Sequence, residues 1–305
     1  MEETNLNKVK EVNLMQHSAR MLRLVENGIF PITKDKDGVE LTNNLDTNYS
    51  IPGTIQGEGK LIGTTCLFIR TSGCNLSCSW VGSDGNGSPC DTPYSSHFPE
   101  NNRMTIEDII HTIDHNIGNM KHIVISGGEP LVQARRLYDL LVELKMKHNP
   151  HITIETNGTF YIPEIGSVTN LISISPKLSS STPWNSNLKN TGIVYNENIA
   201  KTHEKKRINY SSLQRWIHWR NSDPLTKDIQ FKFVVSDPKE DIPEIKYILS
   251  QLDGWTPGDV CLMPEGVTAK DLMDKSPELI EICIKEGWRF TPRLHALIWG
   301  IKRSV

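Results

Sequence analysis

Short apolar runs and amphipathic stretches alternate along most of the chain. TCLFIR (65–70), HIVIS (122–126), ITIET (152–156), LISIS (171–175), FKFVV (231–235) and DVCLM (259–263) are rich in β-branched or aromatic residues. Turn-forming or polar residues follow most of them, as expected of buried strands. Helical patterns lie between, over 105–116, 133–148, 243–252 and 277–286. The first begins Thr-Ile-Glu-Asp, an N-cap followed by acidic residues in the first turn. Near the N-terminus Val12, Met15, Ala19, Leu22 and Val25 recur close to helical spacing and predict a helix over 9–26. Polar segments predict loops at 33–48 and 71–99, and an inserted region at 179–228 with some helix around 211–220. The predicted division is an N-terminal extension, 1–48, and a core, 49–305. Strands alternating with helices predict an α/β fold with a parallel sheet, whose chemistry sits just after the strands.

The 305 residues are 37% hydrophobic, enough to bury a full core, and the net charge is −3. That charge argues against a broad nucleic-acid footprint, and the basic runs at 205–207 and 302–303 read as solvated surface. No stretch approaches the roughly 18 apolar residues of a membrane span. The first ten residues lack the apolar region of a signal peptide. The chain is therefore expected in the cytoplasm, without nucleic-acid or membrane partners. Six cysteines are too few for a disulfide scaffold. In a reducing compartment, clustered cysteines point to metal or catalysis.

Three cysteines share one glycine-rich loop, GCNLSCSWVGSDGNGSPCDT, as Cys74-x3-Cys78-x11-Cys90. Thiolates suit iron–sulfur clusters and zinc. A closed zinc site wants four ligands, and Asp91 or His97 could serve as the fourth. A four-iron cube held by three cysteines leaves one iron open to a ligand. Cys66, Cys261 and Cys283 fall in predicted strands and a helix, where core packing is the expected role.

Cys74-x3-Cys78, Trp80 and Cys90 resemble the radical S-adenosylmethionine (SAM) signature C-x3-C-x2-C with an aromatic between its last two cysteines. SGGEP (126–130) resembles the superfamily's GGEP motif. TIQGEG (54–59), FIRTSGCNLSCSW (68–80), CDT (90–92), ETNGT (155–159), SISPK (173–177) and RLHALIWGIKRSV (293–305) together resemble the 7-carboxy-7-deazaguanine synthase family. The departure is VGSDGNGSP, nine extra residues between Trp80 and Cys90. Loop-closure entropy grows slowly with length, so such an insertion is tolerable.

The resemblance implies an incomplete (β/α)6 radical SAM partial barrel with insertions. It implies a [4Fe–4S] cluster on Cys74, Cys78 and Cys90, with SAM on its open iron and Mg2+ at Thr92. The reaction implied is ring contraction of 6-carboxy-5,6,7,8-tetrahydropterin to 7-carboxy-7-deazaguanine with loss of ammonia. SAM contacts are implied for Gly127, Gly128, Glu129, Ser175, Pro176 and Lys177, with Glu129 accepting from the SAM ammonium. Substrate contacts are implied for Ile55, Gln56, Gly57, Glu58, Arg70, Ser126 and His295. Gln and Glu can read a guanidine-like pterin edge, and Arg matches a carboxylate bidentately. Met263 stands where relatives are expected to carry a polar SAM contact. Asp91 reads as a turn residue. An electron donor such as flavodoxin or ferredoxin and a homodimer are implied as partners. The alternatives are another small radical SAM enzyme, such as a glycyl-radical activase, and a zinc-stabilised binding module.

Overall fold

The six apolar runs become six parallel strands, lying side by side in chain order. The computed structural model describes residues 20–41, 49–300 and 302–305. In chain order the strands are β1 (Met21–Phe30), β2 (Thr54–Ile55), β3 (Thr65–Thr71), β4 (Ser79–Val81), β5 (Gly87–Pro89), β6 (Asn102–Thr105), β7 (His122–Gly127), β8 (His151–Thr156), β9 (Leu171–Ile174), β10 (Asp228–Val235), β11 (Val260–Pro264) and β12 (Arg289–Phe290). The helices are α1 (Ile106–Asn116), α2 (Ala134–His148), α3 (Pro163–Ser167), α4 (Glu197–Lys206), α5 (Tyr210–Asn221), α6 (Pro238–Ser250), α7 (Ala269–Glu286) and α8 (Leu294–Trp299). The main sheet runs β12-β11-β10-β9-β8-β7-β3-β1-β6. Every ladder from β3 to β12 is parallel, and among the described residues the two ends of the sheet do not pair. This is the open barrel of βα units that the alternation predicts. Strands β7 to β9 are sealed by Ile123, Ile125, Ile152, Ile154, Ile172 and Ile174, all with no exposed surface.

Two expectations fail at the N-terminal side. Residues 21–26 are not the end of a helix. They belong to β1, which pairs antiparallel with β3 and β6 and carries buried Leu22 and Leu24. A sheet strand therefore lies inside the segment expected to be a peripheral extension, 1–48. The reason is a break in period. Leu22 and Leu24 alternate inward, then Asn27 (φ 52°) and Gly28 form an irregularity before Ile29 resumes pairing with Ile69. Residues 9–19 of the expected helix lie outside the described residues.

The helices start where their caps are. Thr105 Oγ1 accepts from Asp108 N at 3.0 Å and opens α1 as predicted. For α6 and α7, the caps Asp237 and Thr268 start each helix well before the prolines at 243 and 277, which end up inside. The region 179–228 is only partly an insertion. Leu213, Trp216 and Ile217 of α5 join the main core, so α5 serves as the crossover helix between β9 and β10. Cys66, Cys261 and Cys283 are buried as expected.

Candidate active site

The C-terminal ends of the parallel strands open into one cavity of about 370 Å³, within the range of small-molecule sites. Ile55, Gln56, Gly57, Glu58, Arg70, Ser126 and His295 line it. So do Cys74, Cys78, Cys90 and Thr92 from the cysteine loop, and Gly127, Gly128, Ser175 and Lys177 from the turns after β7 and β9. Glu129 and Pro176 do not.

The position of Glu129 has a physical cause. Its buried carboxylate accepts from Leu131 N (3.0 Å), Thr156 Oγ1 (2.8 and 2.9 Å) and Asn157 N (2.6 Å). Burial pushes its pKa up against these donors. Glu129 thus ties the turn after β7 to the turn after β8, and its oxygens are already engaged. Gly128 is required by close approach to protein as well as to any ligand. A Cβ there would lie 2.5 Å from Gly73 O and Ser95 O and 2.8 Å from the Cys74 Cβ. The GGEP turn is therefore packed directly against the cysteine loop.

An ion network centred on buried Lys232 and Arg293 forms the cavity wall. Gln56 Nε2 donates to Glu155 Oε1 at 3.1 Å. Lys232, from β10, donates to Glu58 and stands 3.8 Å from Glu155. Arg293 Nε donates to Glu58 Oε1 at 3.2 Å, Nη1 donates to Gly266 O at 2.8 Å, and Nη2 donates to Asp91. His295 Nε2 lies 3.9 Å from Glu58, and Gly57 has no Cβ to meet the His295 ring, which would be 2.2 Å away. Burial alone would raise the Glu58 pKa, but Lys232, Arg293 and His295 together hold it well below the usual carboxylate range. Arg70 reaches the cavity from β3, its guanidinium 5.1 Å over the Phe30 ring of β1.

Several of these residues are invisible to motif reading. Lys232 sits inside FKFVV, an apolar strand pattern. Asp91 is an ion-pair partner of Arg293 and not a free turn residue. Of the basic runs, Lys205, Lys206 and Lys302 are exposed as expected, but the two arginines are partly buried. Arg207 pairs with Glu204 and Glu244 and donates to Lys177 O at 3.1 Å, while Lys302 and Arg303 line the cavity. Beside Met263, Glu265 supplies a buried carboxylate to the cavity, held by Lys275 at 2.9 Å.

Residues 68–205 match the Radical SAM superfamily. The chain is 36% identical over 250 residues to the 7-carboxy-7-deazaguanine synthase of Rhodopirellula baltica, covering 82% of this chain and 85% of that protein. It is 37% identical over 254 residues to the enzyme of that name from Halobacterium salinarum, covering 81% and 88%. The chain belongs to the 7-carboxy-7-deazaguanine synthase family. The crystal structure of QueE from Escherichia coli shares the fold, with a TM-score of 0.52 at 22% identity, covering 88% of this chain and 95% of that one.

Membership makes this a radical SAM enzyme of 7-deazapurine biosynthesis that acts on a small molecule, needs a reductant and uses a [4Fe–4S] cluster, SAM and Mg2+. The donor set fits the cluster better than a closed zinc site. Both candidate fourth ligands are engaged elsewhere: His97 Nε2 bonds Cys78 O at 2.9 Å, and Asp91 pairs with Arg293. Among the described residues, no three His, Cys, Asp or Glu side chains converge on one ion. Two thiolates on one zinc stand about 3.8 Å apart, whereas a cube takes one thiolate per iron. Burial pushes the Cys74 thiol up to about 12 and the Cys78 thiol higher still. Iron must therefore displace protons from both. The Thr92 hydroxyl has only a weak 3.4 Å contact to Cys90 Sγ, leaving its oxygen available to a hard cation. Among the described residues, no helix is long and apolar enough to cross a membrane.

Proposed function

We propose that this cavity converts 6-carboxy-5,6,7,8-tetrahydropterin to 7-carboxy-7-deazaguanine with loss of ammonia. The observation that carries the reading is a half-buried, ionised Glu58 sharing one cavity with the Arg70 guanidinium and three cysteine thiols. Glu58 and Gln56 present acceptors, and Gln56 also a donor, to the aminopyrimidine edge. Arg70 takes the substrate carboxylate bidentately, its plane backed by Phe30. His295, Ile55, Gly57 and Ser126 complete the substrate walls. Thr92 offers its hydroxyl to Mg2+ beside the carboxylate. Gly127, Gly128, Ser175 and Lys177 take SAM. Lys177 Nζ already donates to Ser175 Oγ at 2.9 Å, so the two move as a unit. Pro176 and Glu129 shape these turns from behind. The cluster and SAM, when bound, supply the one-electron chemistry that starts hydrogen abstraction. The chain's own residues orient the pterin and exclude water. The enzyme acts in the cytoplasm as a homodimer, reduced by a flavodoxin or ferredoxin.

The test is an anaerobic assay with reductant, SAM, Mg2+ and the carboxy-tetrahydropterin. The deazaguanine product is expected; SAM cleavage without it would reject the substrate. Arg70→Ala should raise KM roughly 10- to 100-fold by leaving a carboxylate unpaired, with full iron content. Loss of the cluster in that variant would contradict the assignment.

A further inference from the structure

The nine extra residues that separate Trp80 from Cys90 do not form a loose loop. They close a hairpin. β4 and β5 pair through Ser79 with Pro89, Trp80 with Ser88 and Val81 with Gly87. At its open end Cys90 N donates to Cys78 O at 3.2 Å, so the hairpin returns the third cysteine to the second. The x11 spacing thereby acts like a short one.

A two-stranded hairpin is marginal by itself, and this one is held from outside. The segment 179–206, which precedes the crossover helix α5, grips the cysteine loop on both sides of Cys78. On one side Ser77 N donates to His203 Nδ1 at 3.2 Å. On the other, Asn187 Nδ2 donates to Ser79 O at 3.1 Å, and Ser79 Oγ donates to Asn187 O at 2.5 Å. The same amide reaches Ser180 O (3.0 Å) and Thr182 O (2.9 Å), so Asn187 also folds its own segment. Gly87 N donates to Lys189 O at 2.7 Å. The fit leaves no room: a Cβ on Gly87 would lie 2.5 Å from Asn187 O and 3.0 Å from Lys189 O, both backbone atoms. Ser79, Ser181 and Thr182 have no exposed surface, so this is a buried junction.

We propose that the hairpin and the 179–206 segment are a matched pair, in which Asn187 is a positioning residue that fixes Cys78 and, through β4 and β5, Cys90 as cluster ligands. The inference rests on the reading that Cys74, Cys78 and Cys90 hold the cluster. Outer-shell partners of this kind orient ligands and tune the bound group.

The full chain is reconstituted anaerobically as wild type, Asn187→Asp, Asn187→Ala and Gly87→Ala, with Lys189→Ala as control. Lys189 contributes to the junction only its carbonyl, which the control retains. Three readouts are taken: iron per chain, the rate of cluster loss to a chelator, and the change in the EPR spectrum of the reduced cluster when SAM is added. Asn187→Asp keeps the shape and removes the donor. It should lose the cluster about ten-fold faster and alter the SAM-induced EPR change, with its circular dichroism unchanged. Gly87→Ala should do the same from the hairpin side, and carries the test if an Asn187 variant fails to fold. Lys189→Ala should match wild type. Wild-type loss rates and EPR changes in both folded Asn187→Asp and Gly87→Ala would overturn the positioning role while leaving the ligands intact. A wild type that takes up no cluster, or a Cys90→Ala variant that keeps a SAM-responsive one, would instead sink the ligand assignment and the inference with it.

Discussion

At the scale of single residues, the site depends on keeping one carboxylate ionised in a partly buried wall. An isolated buried carboxylate goes neutral, and a neutral Glu58 would offer one acceptor fewer to a guanidine-like edge. Lys232, at 5% exposure, is the cation whose field on Glu58 is largest. Replacing it with Met leaves Arg293 and His295 and lets burial regain ground, so the Glu58 pKa rises. The acid limb of kcat/KM, which follows loss of the Glu58 charge, should move to higher pH in Lys232→Met, and kcat/KM at neutral pH should fall by on the order of 100-fold. Lys232→Arg, which keeps the charge, should leave the limb near its wild-type position. An unmoved acid limb in Lys232→Met would show that Lys232 is only packing. Arg293 bonds Glu58, Asp91 and Gly266 O, linking the substrate turn, the cysteine loop and the turn after β11 in one side chain.

At the scale of elements, what the sequence made legible divides along a physical line. Strands buried on both faces show as continuous apolar runs, and six of the seven parallel strands were readable for that reason, the two-residue β12 being too short to show a pattern. Motifs local in sequence, such as QGEG, SGGEP and the cysteines, were readable because each lies within one short stretch of chain. The counter-ions were not. Lys232 and Arg293 meet Glu58 across 174 and 235 residues of chain, and no spacing rule reports such pairs. Nor was the hairpin, because VGSDGNGSP is turn-rich and the hairpin's contacts with Asn187 reach across 108 residues of chain. β1 was hidden by its own irregularity at Asn27–Gly28, and that irregularity serves the site. A Cβ on Gly28 would sit 2.8 Å from Val25 O and 3.0 Å from Arg70 O, both backbone. Gly28→Ala must push β1 from β3 at the residue that carries the guanidinium and shift Phe30 behind it. It should cost about 1–3 kcal/mol in denaturant unfolding and raise KM for the pterin more than it lowers kcat. A variant with wild-type stability and KM would show that β1 merely extends the sheet.

At the scale of the whole molecule, the two ends of the sheet do different work. The C-terminal ends carry the charged cavity. At the N-terminal ends His122 and His151 pair in register on β7 and β8, their rings edge-to-face at 5.0 Å. Burial, then the neighbouring His151, pushes His122 down to about 4, and burial pushes His203 of the junction beside the cysteine loop to about 4. Both are neutral when folded and titrate near 6.5 when unfolded. Between those values the unfolded chain binds more protons, so stability is complete above pH 6.5 and falls as pH drops toward 4. Each histidine should remove about 2 kcal/mol between pH 7 and pH 5. Carboxylates held below their ordinary range act in a lower window, because their stabilisation is lost only as pH falls past the usual carboxylate values. Guanidinium unfolding of the cluster-free wild type and His122→Gln at pH 7, 6 and 5 therefore isolates the His122 contribution by difference. His122→Gln keeps a polar partner for Thr153 but cannot charge, and its stability should decline by about 2 kcal/mol less than wild type over that range. Parallel declines in the two proteins would mean that His122 is not kept neutral by burial.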